Sequence, residues 1–225
     1  MIVATPVGAH LGTPARRQIV LGRSERGRPI IAWEVGDPSS PRKALVVGCI
    51  HGNEPAGIAI ADALARVPVP KRTDVWIVPD LNPDGVAAGT RQNADGVDLN
   101  RNFPWRWRPS GAPGSTFYAG PRALSERESE IAYRLIRRLR PTVSIWFHQH
   151  LALVDESGGS IAVERRFANV ARLPVSRLSR YPGSVTTWQN RAFPGTTAFV
   201  VELPAGAVPK GRIAGYVRAV DAVLP

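Results

Sequence analysis

Two short histidine-containing segments carry residue types that could bind a metal ion. His51 and Glu54 are separated by two residues and follow the apolar run 44–50, while His148 and His150 stand at the end of another apolar run. A catalytic zinc site takes three ligands from the protein and keeps a fourth position open. His51, Glu54 and one of the later histidines would supply such a set. Alone, His51 and Glu54 would also fit a surface histidine and a glutamate favoured by a helix N-terminus.

A second segment is rich in groups that recognise carboxylates. Arg91 precedes the run DLNRNFP at 98–104, which contains Asn100 and Arg101. A guanidinium binds a carboxylate through two parallel hydrogen bonds, and an asparagine amide adds another donor. Two arginines with different tasks could therefore hold a terminal carboxylate and polarise a carbonyl. The alternative is a loop in which aspartate and asparagine stabilise turns while the arginines stay solvated.

A third candidate is Glu202, which lies within the apolar run 199–203. Burying a carboxylate costs free energy unless the group is paired or used. Glu202 could form a structural ion pair with an arginine. Beside a metal ion, the same carboxylate could instead act as a general base on water.

The remaining pattern predicts the elements that position these residues. Continuous apolar runs predict strands, and apolar residues at helical spacing between prolines predict helices. The expected strands are 17–21, 29–35, 43–50, 73–78, 142–148, 160–163 and 197–203, and the expected helices are 55–66, 125–140 and 210–223. A capping box formed by Ser125 and Glu128 is predicted to start the second helix. This alternation predicts an α/β fold with helices on both faces of the sheet.

The segment 79–120 lacks apolar periodicity and is rich in Gly, Pro, Asn and Asp. A stretch of this length without regular structure is typical of a functional loop region or of disorder. Its specific, clustered polar residues favour function. Candidate ligands also fall where strands end, which is where open α/β sheets bind their ligands.

Size and composition fit one globular domain covering 1–225, with 44% hydrophobic and 21% charged residues. No apolar run is long enough to span a membrane. The net charge of +11 would suit an anionic polymer such as cell wall. No nucleic-acid motif accompanies this charge, so nucleic-acid binding is not expected. No secretory signal follows Met1, which predicts a cytoplasmic location by default and leaves secretion open if a signal was removed.

Together these motifs resemble the zinc carboxypeptidase family (M14, carboxypeptidase A-like metallopeptidases). The resemblance extends over nearly the whole chain, and six segments match in the same order. They are 22–30 (GRSERGRPI), 49–55 (CIHGNEP), Arg91 with 98–104 (DLNRNFP), 118–126 (YAGPRALSE), 146–148 (WFH) and 202–203 (EL). The resemblance implies a single-domain, three-layer α/β/α fold with a mixed, mostly parallel twisted sheet.

The resemblance also implies a zinc metallocarboxypeptidase with one Zn²⁺ per chain. The implied roles are zinc binding by His51, Glu54 and His148, oxyanion stabilisation by Arg91, carboxylate binding by Asn100 and Arg101, and general-base catalysis by Glu202. His148 is preferred over His150 because the family pattern ends the strand on its ligand. Tyr181 is the candidate for the family's substrate-capping tyrosine, although the spacing before Glu202 requires a small deletion.

The compact length resembles bacterial murein peptide amidases, a subgroup that cleaves a γ-D-glutamyl–diaminopimelate bond. The expected partner is therefore a peptide or murein peptide with a free carboxylate. Two alternatives stay open. One is an N-acyl-amino-acid deacylase of the aspartoacylase and succinylglutamate desuccinylase type, which shares the HGNE and DLNR motifs. The other is an inactive module that binds cell-wall peptides.

Overall fold

A seven-stranded mixed sheet forms the centre of the chain, for which a computed structural model describes residues 15–70 and 72–225. The strands are β1 (Ala15–Arg23), β2 (Pro29–Gly36), β3 (Lys43–Val47), β4 (Asp74–Val78), β5 (Val143–Asp155), β6 (Val175–Ser176) and β7 (Thr197–Pro204). Their order is β1-β2-β4-β3-β5-β6, and β7 pairs with β5. Among the described strands, the pairs β1–β2 and β2–β4 are antiparallel, and the pairs β3–β4, β3–β5, β5–β6 and β5–β7 are parallel.

Helices cover both faces of this sheet, as the alternation of elements predicts. They are α1 (Ala56–Leu64), α2 (Pro83–Ala88), α3 (Arg127–Leu139), α4 (Ile161–Ala171), α5 (Val185–Ala192) and α6 (Lys210–Asp221), with one 3-10 turn at Leu99–Arg101. Residues of β3 alternate between two apolar cores because successive side chains of a strand point to opposite faces. Ala44 and Val46 pack with α1, α4 and α6, while Leu45 and Val47 pack with α3 and α5. The three-layer α/β/α prediction is confirmed.

Several predicted elements differ from the observed ones. The expected strand at 160–163 is wrong, because these residues begin α4, which buries Glu164, Phe167, Ala168 and Ala171 at helical spacing. The expected β5 boundary at His148 is also wrong, since the strand continues to Asp155. Helix α5 was not predicted, and the loop region 79–120 contains α2 and the 3-10 turn.

The predicted capping box is wrong as well. Helix α3 begins after Glu126 and has no side-chain cap. Ser125 Oγ instead donates to the Glu126 carboxylate and accepts a hydrogen bond from Asn102 Nδ2 at 2.9 Å. Glu128 accepts hydrogen bonds from Glu25 N and Asn93 Nδ2. The two residues therefore fix surrounding loops rather than each other.

Cys49 is a buried free thiol next to β3. Among the described helices, none combines the length and apolar character that crossing a bilayer requires. His148, in the middle of β5, pairs with Glu202 near the carboxyl end of β7, and His51 follows β3, which pairs in parallel with the first part of β5.

Candidate active site

His51 and His148 belong to a cluster of two histidines and one glutamate. His51 and Glu54 occupy the turn between β3 and α1, and His148 comes from β5. The turn is tight because Gly52 packs against α2, where an added Cβ would lie 1.9 Å from the Gly85 carbonyl carbon. Glycine is therefore required for the turn that brings the imidazole and the carboxylate together.

The ligand atoms of this cluster face one another. Glu54 Oε2 lies 3.1 Å from His51 Nδ1 and 2.9 Å from His148 Nδ1. One ligand atom from each residue falls within 4.8 Å of the others, and all three residues are buried. Two imidazole nitrogens and one carboxylate oxygen form a donor set that suits Zn²⁺ and leaves room for a further ligand. The residues present thus fit the metal that their sequence pattern implies.

Asp98 and Arg91 form hydrogen bonds with His51 and Glu54 of the cluster. Asp98 Oδ1 accepts a hydrogen bond from His51 Nε2 at 2.9 Å, which leaves His51 Nδ1 to face Glu54. Arg91 donates from Nε to Asp98 at 3.0 Å and from Nη1 to Glu54 at 2.8 Å. A carboxylate on the second nitrogen of a histidine fixes its tautomer and ring orientation, as in many zinc sites.

These contacts decide the charge states of the buried carboxylates. Burial alone would raise the pKa of Glu54, but the charge of His51 and hydrogen bonds from His148 and His51 hold that pKa well below its ordinary value. Burial opposes ionisation of Asp98 in the same way, and the charges of His51, Arg91 and Arg101 hold its pKa low. For His51, burial lowers the pKa, and the two carboxylates reverse this so that the net shift is upward. Both carboxylates are therefore anionic.

Asn100 and Arg101 are positioned by the 3-10 turn that follows Asp98. Asp98 Oδ1 also accepts a hydrogen bond from Asn100 N at 3.0 Å, and this bond starts the turn. Asn100 Oδ1 accepts a hydrogen bond from Val185 N at 3.0 Å. This contact orients the Asn100 amide group and leaves Nδ2 as the unused donor. Arg101 is buried, donates from Nη1 to Asn100 O, and forms no ion pair with a carboxylate of the described residues.

Tyr181 lies beside Arg101, with the guanidinium carbon 4.3 Å from the ring centroid. Half of the tyrosine is exposed (50%). The segment carrying it is held by Gly183, whose O accepts a hydrogen bond from Phe103 N and whose N donates to Trp105 O. Gly183 has a φ of +76°, and an added Cβ would lie 1.9 Å from Arg101 O. This close approach places Tyr181 at the entrance to the site.

Glu202 differs from the other carboxylates of the site. It is buried on β7, directly beside His148 in the strand register, and its Oε2 has no hydrogen-bond partner among the described residues. Glu202 forms no ion pair with an arginine among those residues, although the sequence left this interpretation open. A buried carboxylate oxygen without a partner next to a candidate metal cluster has the chemistry of a proton acceptor.

All eight predicted site residues line one open cavity of about 550 Å³. They are His51, Glu54, Arg91, Asn100, Arg101, His148, Tyr181 and Glu202. His150 also lines the cavity, but it is exposed and lies outside the group of three ligand atoms, which contains His148. Bringing these residues into one cavity requires contributions from six separate segments of the chain.

Sequence reasoning missed other residues of this cavity. Asp98 was recognised only as part of a motif, and its contact with His51 depends on a fold that joins positions 47 residues apart. Asp155, Arg180 and Thr187 were not singled out. No local pattern marks them, because Asp155 lies in the part of β5 that was not predicted and Thr187 lies in the unpredicted α5.

The chain is similar in sequence to zinc carboxypeptidases and to murein peptide amidases. The family model described as zinc carboxypeptidase matches residues 13–160. The chain is 31% identical over 180 residues to murein peptide amidase A of Escherichia coli strain K12, covering 74% of both proteins. It is 33% identical over 221 residues to murein peptide amidase A of Vibrio campbellii, covering 91% of this chain and 84% of that protein.

Solved structures show the same fold. Murein-tripeptide amidase of Escherichia coli O157 superposes with a TM-score of 0.75 at 27% identity, covering 99% of this chain and 98% of that one. Carboxypeptidase A of Helicoverpa armigera gives a TM-score of 0.78 at 19% identity, covering 92% of this chain and 67% of that one. The second likeness is informative about the fold alone.

Proposed function

The chain belongs to the zinc carboxypeptidase (M14) family of metallopeptidases, and from this premise we propose that it is a zinc-dependent amidase of murein peptides. The bond it cuts is an amide next to a free carboxylate. One observation carries the proposal: the His51, Glu54 and His148 donor set shares its cavity with a buried glutamate whose Oε2 is unpartnered. Murein peptides are proposed as the substrate because similar proteins are named for acting on them.

His51 and His148, through Nδ1, and Glu54, through its carboxylate, would hold the zinc ion. A zinc ion there would polarise the scissile carbonyl and lower the pKa of a coordinated water to about 7. Glu202 takes a proton from the attacking water on its carboxylate and then delivers it to the leaving nitrogen. Its position beside His148 in the strand register supports this role.

The arginines divide the remaining tasks. Arg101 and the Asn100 amide bind the free carboxylate of the substrate, since both have donors that the described residues do not use. Arg91 keeps Glu54 and Asp98 in place through Nη1 and Nε, and Nη2 is free to stabilise charge on the carbonyl oxygen. Tyr181 covers the bound substrate from the entrance.

The test is mass spectrometry of products from a pooled set of substrates. The pool contains murein tripeptide, peptides with varied C-terminal residues, and N-acyl amino acids. We expect release of the terminal amino acid from the murein tripeptide with zinc and none with a chelator. Glu202→Gln should lower turnover by about 10²- to 10⁴-fold, because general-base catalysis contributes that much. Glu130→Gln, which changes an exposed carboxylate on α3, is the matched control.

Other outcomes would assign a different function to the protein. Turnover of N-acyl amino acids alone would identify a deacylase. Binding of murein peptide without turnover by the zinc-loaded protein would identify a binding module. Chelator-resistant hydrolysis, or full activity of Glu202→Gln, would overturn the proposed chemistry.

A further inference from the structure

An exposed phenylalanine stands at the mouth of the active-site cavity, and no step of the proposed mechanism uses it. Phe117 is 51% exposed and lines the cavity together with Arg91 and Arg101. Single exposed apolar residues are common at protein surfaces, so exposure alone assigns this residue no role. Its two cationic neighbours point to one.

The Phe117 ring lies near both arginines of the site. The guanidinium carbon of Arg91 lies 5.5 Å from the ring centroid, and that of Arg101 lies 5.5 Å from the same centroid. The face of an aromatic ring carries partial negative charge and attracts a cation within about 6 Å. One ring therefore attracts the two groups to which the proposed function gives different tasks, binding the free carboxylate and stabilising charge on the carbonyl oxygen.

The two guanidinium groups repel each other. Burial is the largest cause that lowers the pKa of Arg101; the charge of Asp98 opposes this shift, and the charge of Arg91 lowers the pKa further. Nη2 of Arg91, and Nε and Nη2 of Arg101, form no hydrogen bond with the described residues. A ring that attracts both cations offsets their repulsion and limits how far the two groups can swing.

The backbone that presents Phe117 is tied to the segments that carry both arginines. Gln92 Nε2 donates to Ser115 O at 2.9 Å, and Asp98 N donates to Tyr118 O at 2.8 Å. Gln92 directly follows the first arginine, and Asp98 lies three residues before the second. The position of the ring is therefore coupled to the positions of the two groups that it faces.

We propose that Phe117 is a positioning residue that orients Arg91 and Arg101 together. Carboxylate binding and stabilisation of the carbonyl oxygen then both depend on one aromatic ring. Phe117 acts through the two guanidinium groups and not on the reacting atoms. The proposal rests on the proposed function for the tasks of the two arginines, whereas their orientation by the ring can be measured without a substrate.

NMR of the two guanidinium groups provides this measurement. The order parameters of their Nε–H groups are obtained from ¹⁵N relaxation in the zinc-loaded protein, with the signals assigned from Arg91→Lys and Arg101→Lys. We expect Phe117→Leu to lower the order parameter of Arg101 most, because Arg91 Nε is also held by Asp98. Phe117→Tyr should preserve it. Unchanged order parameters in Phe117→Leu would overturn the proposal.

A fluorination series separates attraction of the cations from simple packing. Fluorine withdraws electron density from the ring face and leaves the ring apolar and nearly unchanged in shape. Phe117 is replaced by phenylalanines that carry one, two and three fluorine atoms. We expect the affinity of the zinc-loaded Glu202→Gln protein for murein tripeptide to fall stepwise, by about 3- to 10-fold in total. Affinity that does not follow the number of fluorine atoms would overturn the role of the ring face.

The two tasks can be separated in steady-state kinetics of the unsubstituted protein and of Phe117→Leu. With murein tripeptide we expect KM to rise and kcat to fall, each by about 2- to 5-fold. With the C-terminal amide, kcat should fall by the same factor and KM should stay constant, because Arg101 then has no carboxylate to bind. Equal effects on both substrates would limit the ring to Arg91 and overturn the joint role.

Phe193 offers a matched control for the fluorine series. Its ring lies 6.0 Å from the guanidinium carbon of Arg140, outside the cavity. Trifluorophenylalanine at position 193 should leave affinity for the tripeptide unchanged. An equal loss there would assign the effect to a general property of the fluorinated protein and overturn the proposal.

Failure of the proposed function would give a different result. No turnover of the tripeptide, together with lowered order parameters in Phe117→Leu, would overturn the hydrolase and leave the positioning role intact. Turnover with unchanged order parameters and no trend along the fluorine series would do the reverse.

Discussion

The two carboxylates nearest the reaction, Glu54 and Glu202, have opposite surroundings. Glu54 lies within hydrogen-bond distance of Nδ1 of both histidines of the cluster and accepts hydrogen bonds from Gln149 N and from Arg91. Glu202 Oε2 is buried in the same cavity and accepts none among the described residues. Glu54 is therefore anionic and held in one orientation, the state in which a carboxylate can bind a metal ion, whereas one oxygen of Glu202 has no partner among the described residues.

The same contrast extends to the regions around them. In the ligand cluster, Asp98 and Arg91 complete a network in which each charge has a partner. On the substrate side, Arg101, Arg180 and Thr187 have donor atoms that the described residues leave unused. Buried polar groups cost free energy when they lack partners. The unused donors of these three residues mark positions where a substrate can supply partners, although His148 Nε2 in the ligand cluster is also buried without a partner among the described residues.

The largest effect is expected from replacing Arg101, whose unused donors are proposed to bind the substrate carboxylate. Arg101→Gln should lower kcat/KM by about 10²- to 10³-fold, because a buried charge-assisted contact is lost. Zinc content should change little, since Arg101 forms no hydrogen bond or ion pair with His51, Glu54 or His148 among the described residues. Steady-state kinetics would be compared for a substrate and for its C-terminal amide. Amidation should slow the unsubstituted protein by a similar factor and Arg101→Gln hardly at all, whereas additive losses would assign the carboxylate to another group.

An intermediate effect is expected from weakening the hydrogen-bond network around the ligand cluster. Asp98→Asn weakens the hydrogen bond that orients His51, and we expect zinc affinity to fall about 10- to 100-fold. Competition with a chromogenic chelator measures this affinity directly. Asp95→Asn, an exposed change in the same loop, is the control. Unchanged affinity in Asp98→Asn would mean that the network does not prepare the metal site.

A smaller effect is expected at the entrance. Tyr181→Leu removes the ring that lies against the Arg101 guanidinium, a cation–π contact that contributes about 0.5–1 kcal/mol at exposed sites. We therefore expect KM to rise about 2- to 5-fold with kcat nearly constant. Tyr133→Leu changes a tyrosine that lies against Arg137 on α3, outside the cavity, and should leave KM unchanged. A fall in kcat of more than tenfold in Tyr181→Leu would instead assign the tyrosine a chemical role.

The two sides of the cavity also differ in how well the sequence predicts them. The metal motif is local, because His51 and Glu54 share one turn, and Cys49 and Gly52 mark its strand and its close packing. Most strands were predictable from apolar runs. The part of the cavity that contains Asp155 and Arg180 was not predictable, since these two residues are distant in sequence and meet only after β5 continues past His148. The short apolar run at 160–163 predicts a strand, but the buried residues Glu164, Phe167, Ala168 and Ala171 follow it at helical spacing, and the segment forms α4.

The last prediction concerns stability rather than turnover and tests Glu164, a buried carboxyl group of α4. Glu164 accepts a hydrogen bond from Ser157 N at 3.0 Å, while its Oε2 is buried without a partner among the described residues. Burial is the largest cause that raises its pKa to about 7. The Ser157 hydrogen bond opposes this shift, the charges of Asp155 and Glu156 reinforce it, and Arg180 opposes it.

A carboxyl group whose pKa is higher in the folded state holds a proton that the unfolded chain releases. Its contribution to stability is thus complete below about pH 4.5 and is lost as the pH rises through 7. Glu164→Gln cannot titrate, so we expect the decline in unfolding free energy between pH 5 and pH 8 to shrink by on the order of 1 kcal/mol. Urea denaturation at both pH values measures this difference, and Glu130→Gln, on the exposed face of α3, provides the baseline. An equal decline in both variants would show that Glu164 is already ionised at pH 5, with its unpartnered oxygen satisfied by water or by a bound ion.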